Sequence, residues 1–137
     1  MAATLEVIGL SKIYNGDSAT PVAALDDVSL TVGEGEFVSI VGPSGCGKTT
    51  LLNIIGGLVD GYDGTVRIEG ETLNGAHRGI GMVFQEESTF PWRTTLDNVA
   101  FPLEVGGMGR REREERARHF IRLVGLDGFE NHYPASL

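Results

Sequence analysis

Cysteine is almost absent from the sequence, since Cys46 stands alone in 137 residues and no internal disulfide can form. No apolar run approaches the roughly 18 residues that a membrane span needs, and residues 1–6 lack the basic and apolar regions of a secretory signal. His77, His119 and His132 are scattered without the spacing of metal ligands. These absences exclude a disulfide framework, a membrane span and a zinc site, and we expect a cytoplasmic chain that is stabilised by burial.

Basic residues are also scarce, with 11 against 19 acidic residues and a formal net charge of −8. This balance argues against general nucleic-acid binding, because a phosphate polymer would be repelled. Residues 110–122 hold six of the basic residues, interleaved with glutamates. The predicted i, i+4 ion pairs there are Glu112 with Arg116 and Glu114 with Arg118. We therefore expect a solvent-exposed helix and no nucleic-acid or lipid patch.

Glycine is abundant, at 20 of 137 residues, which is roughly twice its average share of about 7%. No three-residue period accompanies it, so collagen is excluded. The 41% of hydrophobic and 22% of charged residues fit one compact domain. The glycines are therefore expected at turns that need their backbone freedom.

Residues 4–84 contain several patterns typical of β-strands. Residues 4–10 and 22–32 alternate in polarity, and the turn cluster Asn15-Gly16-Asp17 lies between them, which predicts an antiparallel sheet. Residues 37–41 form a continuous apolar run of the kind found in buried parallel strands. Two more strands are predicted at residues 65–69 and 80–84.

Three helices are predicted from apolar spacing and helix-ending residues. The first follows the glycine-rich turn and carries Leu51, Leu52, Ile54, Ile55 and Leu58, with glycines ending it from Gly56 onward. The second covers residues 94–105, where Pro102 is expected to break or kink it. The third covers residues 110–123, and its predicted apolar face consists of Ala117, Phe120, Ile121 and Val124.

One motif carries a definite chemistry, because it matches G-x-x-x-x-G-K-[ST] between a predicted strand and a predicted helix. Its residues are Gly42, Pro43, Ser44, Gly45, Cys46, Gly47, Lys48 and Thr49, followed by Thr50. Such a loop points backbone N–H groups and a helix N-terminus at a polyphosphate, and its glycines allow the close approach. Lys48 would add positive charge, and the Thr49 hydroxyl would bind Mg²⁺ between phosphates.

Two other interpretations of this segment stay open. A glycine-rich turn without a ligand would account for the loop but leaves Lys48 unexplained. Cys46 could serve as a reactive thiol, although its backbone N–H already has a use in a phosphate-binding loop. No Asn-Lys-x-Asp pattern for reading guanine occurs, which argues against a GTPase.

Further motifs resemble the ATP-binding subunits of ABC transporters over essentially the whole chain. They are residues 42–52, Gly81-Met-Val-Phe-Gln85 and the run from Phe90-Pro-Trp to Val99, and the Phe-Pro-Trp resembles importers of the nitrate, sulfonate and taurine type. The resemblance implies an α/β P-loop NTPase core with a mainly parallel sheet, an N-terminal antiparallel β layer and the start of a helical subdomain. Residues 1–93 would hold the β layer and core, and residues 94–137 the start of the helical subdomain.

The resemblance also implies roles for residues outside the loop. Tyr14 falls where the family places an aromatic that stacks on adenine, although a tyrosine covering an edge strand is the alternative. Gln85 corresponds to the glutamine that contacts the metal and the attacking water, and an amide suits this because it both donates and accepts. Phe90, Pro91 and Trp92 would face a cytoplasmic helix of the membrane subunit, or else form a small core under their loop.

The implied cofactors are ATP and Mg²⁺, with Lys48 and Gln85 as catalytic residues. The implied partners are transmembrane permease subunits, a second ATP-binding subunit in a homodimer and, indirectly, a solute-binding protein, at the inner face of the cell membrane. The sequence stops before the position of the family's serine-glycine-glycine signature, so we expect the 137-residue chain by itself not to hydrolyse ATP. The alternatives are a truncated, non-hydrolysing nucleotide-binding module and a small P-loop kinase, for which no second substrate site is recognisable.

Overall fold

A computed structural model of the chain describes residues 3–15, 20–85 and 88–137. The chain forms two compact units, residues 1–83 and residues 84–137. The turn predicted at Asn15-Gly16-Asp17 lies largely outside the described residues.

The first unit contains a four-stranded antiparallel sheet with the order β2-β1-β3-β4. Its strands are β1 (Ala3–Tyr14), β2 (Val22–Gly33), β3 (Asp63–Ile68) and β4 (Glu71–Thr72). In the centre of the sheet, Val7 of β1 lies opposite Leu30 of β2 on one side and Val66 of β3 on the other. The predicted antiparallel β layer is therefore confirmed, and the predicted strand 65–69 corresponds to most of β3.

One helix, α1 (Lys48–Ile55), completes the core of this unit. The buried residues of this core are Val7, Leu10, Leu25, Leu51, Ile54, Val66, Ile68 and Leu73. Leu51 and Ile54 are three residues apart and thus face the same way on α1. Burying each such aliphatic side chain stabilises the fold by roughly 1.5–3 kcal/mol. The helix ends at Gly56, as the sequence predicted, and Leu58 lies beyond it and is exposed.

Two predicted strands are wrong in this structure. Residues 37–41 and 80–84 form no strand, and Phe37 and Val41 are each 91% exposed, while Val83 is 100% exposed. An apolar run makes a buried parallel strand only when neighbouring strands supply hydrogen bonds and cover both faces. Among the described residues, neither segment has such a neighbour, so their apolar composition alone does not produce a strand.

The second unit is built on the helices α2 (Thr95–Val105) and α3 (Arg110–Leu123), followed by a short 3₁₀ turn at residues 134–136. Its core joins Leu96 and Ala100 of α2 to Ala117 and Ile121 of α3. The predicted apolar face of α3 was too wide, since Phe120 and Val124 are exposed.

Pro102 lies inside α2 and does not break it, so of the expected break or kink the break is wrong. A proline removes one helical hydrogen bond, here the bond to the Asn98 carbonyl four residues earlier. The helix ends only three residues later at Val105, with Gly106 as its C-cap. Leu96 and Ala100, which pack in the core with α3, lie in the part of α2 that precedes the proline.

The ion pairs of α3 follow the predicted pattern in part. Arg116 donates to Glu112 at 3.0 Å, which confirms the first pair. The second prediction was wrong, because Glu114 accepts from Arg110 Nε at 2.7 Å, while the Arg118 guanidinium lies 3.9 Å from Glu130. Arg110 is four residues before Glu114, so the same helical spacing serves the pair that formed.

The Arg110 hydrogen bond lowers the pKa of the Glu114 carboxyl below its ordinary value. A lowered folded-state pKa gives stability that is present above the unfolded pKa and is lost as the pH falls through the folded one. Both side chains lie at the surface, where such pairs contribute little to the free energy of unfolding.

The close contact between Gly64 of β3 and the neighbouring β1 backbone yields the first prediction. Gly64 has φ +98°, and a Cβ there would lie 2.5 Å from the Gly9 carbonyl oxygen and 2.7 Å from that of Ile8. We expect Gly64→Ala to lower the free energy of unfolding by about 3 kcal/mol, from backbone strain and the clash together. Urea unfolding followed by circular dichroism measures this.

Gly70→Ala is the matched control. Gly70 has φ +83°, but nothing lies within 4 Å of its Cβ position, so only backbone strain of about 1 kcal/mol is expected. Equal destabilisation by the two variants would show that the contact with β1 is unimportant.

Candidate functional site

The glycine-rich loop 42–49 packs against β2 through its last glycine. Gly47 is the N-cap of α1 and has φ +95°. A Cβ at this position would lie 2.2 Å from the Ala24 carbonyl oxygen and 3.1 Å from a methyl group of Leu25. Only glycine fits there, so the second glycine of the motif is required by close backbone approach as well as by its conformation.

Backbone donors without a helical acceptor lie where α1 begins. The first helical hydrogen bond runs from Leu51 N–H to the Gly47 carbonyl at 2.9 Å. The N–H groups of Lys48, Thr49 and Thr50 precede that bond, so they have no acceptor within the helix. No acidic residue lies in the first turn. This end of α1 therefore combines free donors with the positive end of the helix dipole, which suits an anion.

The Lys48 ammonium lies over the same loop. Its Nζ donates to the carbonyl oxygens of Gly42 and Pro43, at 2.7 Å each, and lies 3.5 Å from Cys46 Sγ. The side chain thus places one positive charge beside the open N–H groups. A phosphate oxygen could replace either carbonyl as its acceptor, because an ammonium has three donors that reorient with the flexible stem.

A cavity of about 170 Å³ lies between the loop and the beginning of β2. Its lining residues are Val22, Ala23, Ala24, Gly45, Gly47, Lys48, Thr49 and Thr50. Larger depressions along α3 are lined mainly by arginine and glutamate side chains, with three arginines and two glutamates in one and two of each in the other. The smaller cavity is the better candidate site, because it alone among these joins backbone donors to an uncompensated cation.

Sequence reasoning missed Val22, Ala23 and Ala24 as site residues. The motif gives no indication of these three residues. The β1–β2 register does, because it places Val22 opposite Tyr14. Tyr14 itself ends β1 and is 37% exposed, with Lys12 Nζ 5.1 Å from its ring centre. The pairing with Val22 brings Tyr14 next to a strand residue that lines the cavity.

Among the described residues, no group of three or more His, Cys, Asp or Glu side chains could hold a metal ion. Thr49 is the second residue of α1 and is exposed. A hydroxyl there suits Mg²⁺ that takes its remaining ligands from phosphate and water. Gln85 is exposed and belongs to the second unit, so its contact with the metal stays a prediction.

The Phe-Pro-Trp segment forms an aromatic cluster with α2. Phe90 lies 5.6 Å from Trp92 and 4.7 Å from Phe101, measured between ring centres, and the Arg93 guanidinium covers the rings of Phe90 and Phe101. Phe90 is half-buried, whereas Trp92 is 72% exposed. Phe90 therefore does the packing, and Trp92 leaves most of its surface open.

Asn98 organises this segment and was missed by sequence reasoning. Its Oδ1 accepts from Phe90 N–H at 2.7 Å, and its Nδ2 donates to the carbonyls of Phe90, Arg93 and Thr94 at 3.0–3.1 Å. Thr94 caps α2 by accepting from Asp97 N–H at 3.2 Å. The Thr-x-x-Asp capping pattern was readable from the sequence, but a loop-bridging asparagine has no comparable local signal.

The N-terminus of α2 differs from that of α1, because its donors are already used. Thr95 N–H donates to the His132 carbonyl at 2.8 Å and Leu96 N–H to the Glu130 carbonyl at 2.9 Å. The Thr95 hydroxyl also donates to His132 at 3.0 Å. These bonds are structural, and they join α2 to the end of the chain.

Comparisons with known proteins agree with this geometry. The family model described as ABC transporter matches residues 25–137. An uncharacterized ABC transporter ATP-binding protein of Methanocaldococcus jannaschii is 48% identical over 139 aligned positions, covering 100% of this chain and 51% of that protein. The taurine import ATP-binding protein TauB of Escherichia coli is 41% identical over 127 positions, covering 93% of this chain and 49% of TauB.

Solved structures show the same similarity. The ATP-binding cassette MJ0796, in a dimeric post-hydrolysis state bound to ADP and Pi, matches with a TM-score of 0.83 and 37% identity, over 97% of this chain and 62% of that chain. A glycine-rich loop that opens a helix, with a lysine and threonine at its start, defines a P-loop nucleotide-binding protein. Within that class the chain belongs to the ABC transporter ATP-binding family, and it spans about half the length of the curated relatives it matches.

These structural neighbours confirm the predicted ABC-type P-loop fold class, with the antiparallel β layer and the helices of the second unit in place. The mainly parallel sheet of that prediction is not formed among the described residues, whose strand pairs are all antiparallel. Among the described residues, no helix is both long and apolar enough to cross a bilayer.

The hydrogen bonds of Asn98 yield the second prediction. We expect Asn98→Ala to lower the free energy of unfolding by about 1–3 kcal/mol, because Phe90 N–H loses its acceptor in a half-buried position. Thermal melting measures the loss, and Trp92 fluorescence reports the loosened loop. Asn131→Ala, an exposed asparagine of the same unit, is the control. An unchanged melt for Asn98→Ala would contradict the organising role.

Proposed function

We propose that loop 42–49 binds MgATP and that, in the complete dimeric protein with its membrane subunits, hydrolysis of this ATP drives import of a small solute of the nitrate, sulfonate or taurine type. The observation that supports this most is the close packing of Gly47 on the Ala24 carbonyl, which presents the open N–H groups of α1 beside Lys48. ABC family membership supports nucleotide binding in general, and one relative is named as a taurine import protein.

Each site residue has a role in this proposal. Backbone N–H groups of the loop and of Lys48, Thr49 and Thr50 donate to phosphate oxygens, and the Lys48 ammonium offsets their charge. Thr49 and Gln85 hold Mg²⁺, which supplies further neutralisation of phosphate charge when bound. Gln85 also orients water, since its amide donates and accepts without adding charge.

Tyr14 stacks on adenine, beside the small residues of β2 that line the cavity. An aromatic face binds a purine plane without strongly reading its edge, so the contact gives affinity more than base selectivity. The partial exposure of the ring and its register opposite Val22 support this role.

The proposed partners are transmembrane permease subunits, a second ATP-binding subunit and, through the permease, a solute-binding protein, with the complex at the inner face of the cell membrane. The structural neighbour is dimeric, which supports a homodimer. The exposed Trp92 face is the proposed contact with the permease, because a large exposed aromatic beside ordered packing is typical of an interface anchor.

Replacement of Lys48 tests the nucleotide site. We expect Lys48→Ala to weaken MgATP binding about tenfold or more, since a charge-assisted contact is worth roughly 1.5–3 kcal/mol. Calorimetric titration of the full-length protein measures the affinity, and circular dichroism shows that the variant is folded. Arg67→Ala, an exposed cation on β3, controls for net charge. Unchanged ATP affinity in folded Lys48→Ala would refute the assignment.

Replacement of Trp92 tests the permease contact. A buried interface aromatic typically contributes about 2 kcal/mol or more, so we expect Trp92→Ala to weaken assembly with the membrane subunits roughly thirtyfold. ATP affinity should be unchanged, because Trp92 lies outside the nucleotide loop. Co-purification with the permease measures assembly beside a thermal melt, with exposed Phe120→Ala as the control. Normal assembly with a depressed melt would make Trp92 a packing residue instead.

A further inference from the structure

Lys12 is fixed by an unusual set of contacts next to the proposed adenine-binding tyrosine. Its Nζ donates to the carbonyl of Asp60 at 2.7 Å and to that of Gly61 at 2.8 Å, both of which follow α1 in the chain. The same Nζ lies 5.1 Å from the ring centre of Tyr14. Lys12 therefore joins β1, the segment after α1 and the aromatic ring.

We propose that Lys12 is a positioning residue for the nucleotide base: it covers one face of the Tyr14 ring and leaves the other face to stack on the base. This inference rests on the proposed function, because it assumes that Tyr14 contacts adenine. Lys12 touches neither phosphate nor base in this scheme, and it acts only through Tyr14.

The geometry of the ammonium supports this. Lysine has three N–H donors, and two of them are held by backbone carbonyls at short distances. The cation is thus placed by the backbone and remains within the roughly 6 Å range of a cation–π contact with the ring. A side chain held in this way restricts the ring on one side, where an unrestrained tyrosine at a strand end would exchange between rotamers.

The two sides of Tyr14 also differ in what they adjoin. Across the β1–β2 pair the tyrosine lies opposite Val22, which lines the cavity at the loop, whereas Lys12 lies opposite Leu25 and reaches back to residues 60–61. The Tyr14 residue remains 37% exposed in spite of the Lys12 contact. Tyr14 is not itself a lining residue of the cavity, but a base that enters beside Val22 would lie next to this partly exposed tyrosine.

A cation on one face also changes the ring electronically. It draws π-electron density toward itself, so the opposite face becomes less repulsive to the π-system of a stacked purine. Both effects act on a ligand that has a base and leave a bare polyphosphate unaffected. This difference separates a positioning role from a general effect on the fold or on the phosphate site.

The test compares MgATP with magnesium tripolyphosphate, which lacks base and ribose, in titrations of the full-length protein. We expect Lys12→Met, which keeps the aliphatic stem, to weaken MgATP binding about threefold and to leave tripolyphosphate affinity unchanged. Lys12→Arg, which keeps the cation, should retain most of the MgATP affinity. Arg67→Met, which removes an exposed cation from the same sheet, should leave the ratio of the two affinities unchanged.

A double-mutant cycle identifies the route of the effect. If Lys12 acts through Tyr14, then Tyr14→Ala abolishes the threefold effect of Lys12→Met on MgATP affinity. Additive losses would overturn the proposal. So would equal losses for MgATP and tripolyphosphate, which indicate a structural role, or no loss for either ligand.

Failure of the proposed function gives a different result. In that case wild-type protein would bind neither ligand, or Lys48→Ala would leave both affinities unchanged. With Lys48 confirmed, a Lys12→Met variant that is folded and binds MgATP like wild type overturns the inference about Lys12 alone.

Discussion

The close approach of Gly47 to the Ala24 carbonyl is the constraint on which the candidate site depends. A Cβ at 2.2 Å from that oxygen cannot be accommodated, so any other residue would push α1 away from β2. The position of β2 is in turn fixed by its long pairing with β1, and that of α1 by burial of Leu51 and Ile54. Loop 42–49 is therefore held against the core through its own Gly47.

The two helix N-termini show how the same backbone chemistry is used for different purposes. The first-turn donors of α2 are taken by Thr94 and by carbonyls near the end of the chain, which ties two segments together. The corresponding donors of α1 have no acceptor in the helix, and the first turn of α1 contains no acidic residue. Unsatisfied N–H groups are costly unless water or a ligand pairs with them, so their accumulation beside Lys48 favours an anion-binding role.

Local patterns in the sequence predicted the loop motif, the antiparallel strands and the limits of α3, because each depends on neighbouring residues. They failed for residues 37–41 and 80–84, where strand formation depends on partners elsewhere in the chain. They also failed to find Asn98, which bridges the loop just before it, and Lys12, which lies 48 residues from its acceptor Asp60. Long-range polar contacts are invisible to pattern analysis because no periodicity relates the segments that they join.

The net charge of the molecule makes the short-range contacts at loop 42–49 more important for binding an anion. A chain with net charge −8 repels a nucleoside triphosphate at long range. At physiological ionic strength, however, screening reduces interactions beyond about 8 Å, so remote acidic side chains contribute little at the loop. What remains is local: the first-turn N–H groups of α1, the dipole of that helix and the Lys48 ammonium, 2.7 Å from the loop carbonyls. Affinity for an anion at this site must therefore come from hydrogen-bond geometry that the Gly47 contact sets.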